Sequence, residues 1–186
     1  MLCWARNDDK ARAGTFEPLR RRPYTESMLQ TRRAAPDDAA LIASHRKAMF
    51  AAMGGVQESV LEEMRRNCEP WLRRMMNDGK YCGWIAFEDG TPIASAGLLV
   101  LDWPPHPLDP PGELRGYLLN VFVESGYRRQ GLARQLIEAC MQEARQRGIR
   151  VLSLHASDAG RPLYESLGFR ATNEMLYRQP DAGPSQ

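Results

Sequence analysis

The run Arg128-Arg129-Gln130-Gly131-Leu132-Ala133-Arg134 carries the clearest chemical potential in the chain. Its arginines present planar guanidinium groups that match phosphate oxygens. Gly131 and Ala133 have little or no side chain, so a ligand can come close to the backbone there. If a helix starts here, its first N–H groups lack partners and carry a partial positive charge. Such a turn suits an anion, most naturally a phosphate or pyrophosphate. The plain alternative is a βα turn with solvated arginines. The spacing lacks the three glycines of the dinucleotide fingerprint and the Gly-Lys-Ser/Thr end of the P-loop. Elsewhere, the Tyr164 phenol (ordinary pKa ~10) can donate a proton at neutral pH, and His155 is of a residue type that serves as a general base.

The elements around the run must position it. Leu118-Leu119-Asn120-Val121-Phe122-Val123 is an apolar stretch rich in β-formers and reads as a buried strand. Glu124-Ser125-Gly126-Tyr127 makes a polar turn. Leu132, Leu136, Cys140 and Ala144 then fall on one helical row, with Ala133, Ile137 and Met141 beside it, a core-facing stripe. Arg145, Arg147 and Gly148 end that helix. Residues 149–154 read as a second buried strand. Strand, glycine-containing turn, helix and strand make a βαβ unit with parallel strands.

Arg128-x-x-Gly131-x-Ala133 resembles the Gln/Arg-x-x-Gly-x-Gly/Ala signature of the GCN5-related N-acetyltransferase (GNAT) family. Pro162-Leu163-Tyr164-Glu165-Ser166-Leu167-Gly168-Phe169 is similar to that family's LYxxLGF stretch. The resemblance covers about residues 31–177. It implies a mixed, mostly antiparallel α/β (α+β) sheet with the βαβ unit at its centre and helices on both faces. It also implies acetyl-coenzyme A as cosubstrate, its pyrophosphate on residues 128–134, and transfer of acetyl to an amine. The backbone of Val121, Phe122 and Val123 would then bind the pantetheine arm, if the next strand splays away. Tyr164 matches the tyrosine that protonates the leaving sulfur in many members. Ser157 falls where many members carry an Asn that contacts pantetheine; the shorter serine also suits a helix cap.

The transfer needs a base for the amine, donors for the oxyanion and a proton for the thiolate. The strand at residues 118–123 holds no carboxylate. Asn120, its one polar residue, cannot take a proton and is assigned to the acceptor side. His155 is the leading base; Glu113, Glu174 and a water chain are further candidates. Glu174 could also face a cationic acceptor. Residues 102–115 form a proline-stiffened loop, DWPPHPLDPPGELR, whose Trp103 is a candidate acceptor wall or, alternatively, a side chain tucked onto the core. The turn at residues 49–55 is a second candidate wall.

The rest of the chain adds limits. A length of 186 residues, 43% hydrophobic, suits one soluble domain. A net charge of +2 argues against nucleic acid as partner. Cys3, Cys68, Cys82 and Cys140 show neither a C-x-x-C pair nor metal spacing, so no metal and a reducing cytoplasm are expected. No apolar run is long enough for a membrane span. Residues 1–30 read as an irregular leader, 31–178 as the catalytic domain and 179–186 as a tail. Residues 30–34 suggest an edge strand. Helices are expected from Pro36 to about Met53 and over 58–77, the second kinked or split at Pro70. A hairpin over 81–88 and 91–101 turns at Asp89-Gly90. A short helix over 159–167 and a last strand or hairpin over 169–177 complete the expectation. The leading function is an N-acetyltransferase for a small-molecule or peptide amine; the second is a non-catalytic acyl-coenzyme A sensor. Homodimerisation is left open.

Overall fold

A computed structural model describes residues 28–172 and 174–177. Its five-stranded sheet follows chain order: β1 (Leu29–Arg33), β2 (Tyr81–Glu88), β3 (Thr91–Asp102), β4 (Leu114–Val123) and β5 (Leu152–Ser153). Strands β1 to β4 pair antiparallel, and β5 pairs parallel with β4. The helix between them, α3 (Leu132–Gln146), completes the expected βαβ unit. The β2–β3 turn places Asp89 and Gly90 at φ of 48° and 80°, the left-handed pair of a two-residue hairpin loop.

Helices cover both faces, because each face presents its own apolar set. On one, Ala39, Ile42 and Ala43 of α1 (Ala39–Met53) and Leu72 of α2 (Glu58–Asn77) pack on Tyr81 and Ile85. On the other, Leu132, Leu136, Ile137, Cys140 and Ala144 of α3 pack on Ala94, Ala96, Leu98 and Leu118. Leu163 and Tyr164 of α4 (Arg161–Ser166) join this second cluster. Burying one Leu or Ile contributes about 1.5–3 kcal/mol, so α3 is held mainly by this stripe and less by helix propensity. A polar stitch adds to it. The buried Glu143 carboxylate accepts from Arg33 of β1 at 2.9 and 3.0 Å and from Arg147 at 2.8 Å. Burial alone would raise its pKa, but the bonds from Arg147 and Arg33 win and hold it below the ordinary value.

Four details depart from the sequence reading. First, Pro70 does not split α2, which continues through it to Asn77. The ring removes one backbone bond, yet Leu61 and Leu72, both buried, anchor the helix on either side of it. Second, β5 is only Leu152–Ser153. Third, residues 169–172 and 174–177 form no strand, and Met175, Leu176 and Tyr177 are exposed. A strand there would need a neighbour, and so short a β5 offers little edge to pair with. Fourth, β1 starts at Leu29, so the expected leader of residues 1–30 overlaps it; residues 1–27 and the tail at 179–186 lie outside the described residues.

Candidate active site

The anion mouth is built by backbone conformation. After β4, residues 125–127 make a short 3-10 turn. Arg128 is extended, Arg129 is left-handed at φ 63°, and Gly131 is left-handed at φ 87° as the N-cap of α3. Only glycine takes such a φ without steric cost, and a Cβ on Gly131 would project into open space. Among the described residues no side chain caps α3, so its first N–H groups can meet a ligand. The neighbours brace the turn. Arg128 Nε donates to the Val123 carbonyl (3.1 Å), Gln130 Nε2 to the Gly126 carbonyl (3.2 Å), and Tyr127 hydroxyl to Glu88. Arg134 bonds Ser166 Oγ of α4 at 2.6 Å, tying the two helix ends together. Leu132 itself is buried core, so of the expected cofactor residues its backbone alone can face a ligand.

Beside the mouth, the sheet parts. β5 pairs with β4 only at Gly116 and Tyr117. Gly116 permits that contact: a Cβ there would meet Leu152 Cδ2 at 2.3 Å and Leu98 Cδ1 at 2.9 Å. Beyond Tyr117 the β4 edge, including Val121, Phe122 and Val123, has no strand beside it among the described residues. Its backbone can therefore take an extended amide-bearing arm as an added strand.

A bulge shapes the same stretch of β4. Ser95 pairs with Phe122 but Gly97 with Leu119, so Asn120 and Val121 both face Ala96. Asn120 sits at φ 55°, a conformation asparagine tolerates better than most residues. The bulge turns its amide toward α1. Its Oδ1 accepts from Arg46 Nη1 at 2.8 Å, and its Nδ2 donates to the Tyr81 hydroxyl at 3.1 Å. Gly97 leaves the room that Tyr81 needs, since a Cβ would lie 2.1 Å from its hydroxyl. Asn120 is 2% exposed and both ends of its amide are engaged within the protein. Nearby, buried His45 bonds Ser95 Oγ at 2.9 Å and stacks on Phe122 at 4.7 Å. Burial lowers its pKa to about 4, leaving the ring neutral.

On the same face of β4, the Tyr117 hydroxyl and His155 Nδ1 share a hydrogen bond. His155 Nε2 lies 3.6 Å from Glu174 Oε1. Two of the base candidates thus meet, joined by a tyrosine that sequence patterns did not single out. Glu113 lies apart, its carbonyl accepting from Trp103 N at 2.8 Å to close the proline loop. The Trp103 ring stacks on the Arg115 guanidinium at 3.9 Å. Arg115 and Tyr117 are two apart on β4 and so share a face, which brings Trp103 to the end of that row. Tyr164 packs in the cluster that also holds Val121 and Val123, with Phe169 edge-on at 6.0 Å. Burial raises its pKa, keeping the phenol protonated. Ser157 Oγ accepts from Gly160 N at 3.2 Å in the turn before α4, whose N-cap is Gly160 and not the serine weighed for that place. Arg46 was missed, although one signal existed: it continues the Ala39, Ile42, Ala43 stripe of α1, where an arginine is out of place.

A helix mouth next to a parted parallel pair has a shape and donors that would suit a long ligand with a phosphate-bearing end. The comparisons name the class. The model of the acetyltransferase (GNAT) family matches residues 22–169, and the chain belongs to that family. It is 47% identical over 124 residues to [Ribosomal protein bS18]-alanine N-acetyltransferase of Escherichia coli K12, covering 63% of this chain and 74% of that protein. It is 31% identical over 101 residues to human N-acetyltransferase 8, covering 52% of this chain but only 41% of that protein. Among solved structures, a GCN5-related N-acetyltransferase from Ralstonia eutropha JMP134 superposes with TM-score 0.77 at 38% identity, over 84% of this chain and all (100%) of that one. A predicted acetyltransferase from Clostridium acetobutylicum, solved with acetyl-CoA, gives 0.72 at 29% identity, over 82% and 96%. Among the described residues no helix is long and apolar enough to cross a membrane.

Proposed function

We propose that the protein is an N-acetyltransferase that moves an acetyl group from acetyl-CoA to a primary amine. The observation that carries this reading is the bare β4 edge leading into the uncapped start of α3. In it the pyrophosphate rests on the N–H groups and arginines of residues 128–134. The pantetheine arm lies along Val121, Phe122 and Val123, and Ser157 stands at its far side. The likeness to a structure solved with acetyl-CoA supports the same cosubstrate.

The residues around the thioester divide the work. His155, in contact with Tyr117 and backed by Glu174, takes a proton from the acceptor ammonium. The amine nitrogen then bonds the acetyl carbon, and β4 backbone N–H groups receive the oxyanion. The C–S bond breaks, Tyr164 gives the thiolate a proton, and the second proton that the nitrogen loses as the amide forms passes through water to restore the Tyr164 phenol. The base later returns the proton lost by the amine to solvent. Trp103, stacked on Arg115, forms one wall of the acceptor site, and the turn at residues 49–55 forms another. Among the described residues Cys68, Cys82 and Cys140 are free thiols, which fits a reducing cytoplasm.

The test has two parts. Calorimetry should find saturable acetyl-CoA binding, and thiol release should rise on adding an amine. Absence of binding by folded protein would end the proposal.

A further inference from the structure

We infer that the acceptor is a zwitterion, an amine whose own molecule carries a carboxylate as a free α-amino acid does, with Arg46 as the residue that holds the carboxylate. The inference rests on the transferase reading and deepens it. Arg46 is half-buried on the face of α1 that meets the β4 bulge. Its guanidinium is fixed from two sides, by Asn120 Oδ1 at 2.8 Å and by the Phe50 ring at 4.9 Å. Among the described residues it has no carboxylate within ion-pair range. Comparable half-buried cations do: Lys47 has Glu58 and Glu62, Arg65 has Glu62, and Arg147 has Glu143. An immobilised guanidinium with one donor engaged out of five is a ready anion site.

A second observation sets the charge opposite it. Tyr117 stands on the β4 face next to both groups. Its pKa is raised by burial first and by Glu174 next, and it is lowered by Arg46. One phenol therefore lies within electrostatic reach of a carboxylate and of a guanidinium. His155 and Glu174 gather on one side of that ring, where the ammonium must lose its proton. Arg46 offers the opposite sign within electrostatic reach of the same phenol. Opposite charges within reach of one side chain complement a small molecule that carries both charges. A polyamine offers no carboxylate for Arg46, and in a peptide the α-carboxyl of the first residue is already an amide.

The experiment follows thiol release from acetyl-CoA with a panel of amino acids, each matched to its primary amide and to its decarboxylated amine. Amino acids should exceed their amides in kcat/KM by about ten- to a hundredfold, mainly through KM, as for loss of one hydrogen bond to a charged group. Arg46→Gln should collapse that ratio toward one, and Arg46→Lys should restore part of it. Amides that match their parent acids overturn the inference. So does a collapse produced by Arg115→Gln, the other cation of that face, in place of Arg46→Gln. If Arg46→Gln fails to fold, the wild-type ratio alone decides. Failure to bind acetyl-CoA would remove the transferase reading first, and calorimetry tells that outcome from loss of acid-over-amide preference alone.

Discussion

Arg46 of α1 and Asn120 of β4, 74 residues apart, are joined by a 2.8 Å hydrogen bond that exists because Asn120 is left-handed. The bond makes a backbone irregularity into a side-chain position. Asn120→Ala should orphan the Tyr81 hydroxyl and free Arg46 from its anchor. A loss of about 2–4 kcal/mol in urea unfolding is expected, since an unsatisfied buried group costs ~1–3 kcal/mol and alanine at positive φ adds about one more. Among molecules that remain folded, acceptor KM should rise while the Kd for acetyl-CoA holds. An unchanged acceptor KM would separate Asn120 from the acceptor side.

Gly131→Val places a branched side chain where φ is 87° and where the cofactor would sit. The backbone strain should cost about 1–2 kcal/mol. Calorimetry should show acetyl-CoA affinity falling more than tenfold. Gly90→Val, at φ 80° in the remote hairpin, controls for strain alone. Equal losses of affinity in the two variants would detach Gly131 from the ligand.

Tyr164→Phe keeps the ring that packs beside Phe169 and removes only the proton donor. A fall of about 10²–10⁴ in kcat is expected, with acetyl-CoA affinity nearly unchanged. A variant with full kcat would leave Tyr164 as a core residue only.

His155→Ala should lower kcat/KM by about 10²-fold or more at neutral pH and reshape the pH profile. Tyr117→Phe, which removes the hydroxyl bonded to His155, should move the same limb of that profile. Retention of wild-type kcat/KM and profile in His155→Ala would pass the base role to another group.

His45 sets a pH dependence of stability. Its pKa is lowered to about 4 by burial, against an ordinary value of about 6.5. Below the ordinary value the unfolded chain binds a proton that the folded ring refuses, so stability falls as pH drops from about 6.5 to about 4. The loss amounts to at most about 3 kcal/mol over that window. Urea titrations from pH 7 to 4 should show it, and His45→Gln should flatten the slope.

What the sequence revealed was local. Residues 118–134 carry the strand, the turn and the helix start within one stretch, so periodicity and a glycine were enough. Asp89-Gly90 fixed a hairpin in the same way. The contact of Tyr117 with His155 was hidden because it depends on the parallel register Gly116–Leu152, which no local pattern encodes. Arg46 was hidden by the bulge that turns Asn120 toward it. The last strand was over-read: apolar residues near Met175 suggest β-structure, but β conformation needs a neighbour, and β5 supplies only two residues. Pro70 misled in the opposite sense, because tertiary burial of Leu61 and Leu72 outweighed one missing backbone bond.

The uncovered margin of β4 has a consequence for the ligand-free protein. Unpaired amides on an extended strand are a template for any other extended chain, including another molecule's. Pantetheine occupying that margin would act as a guard as well as a tether. Handling without coenzyme A should therefore favour slow edge-to-edge self-association, and adding it should keep concentrated samples dispersed.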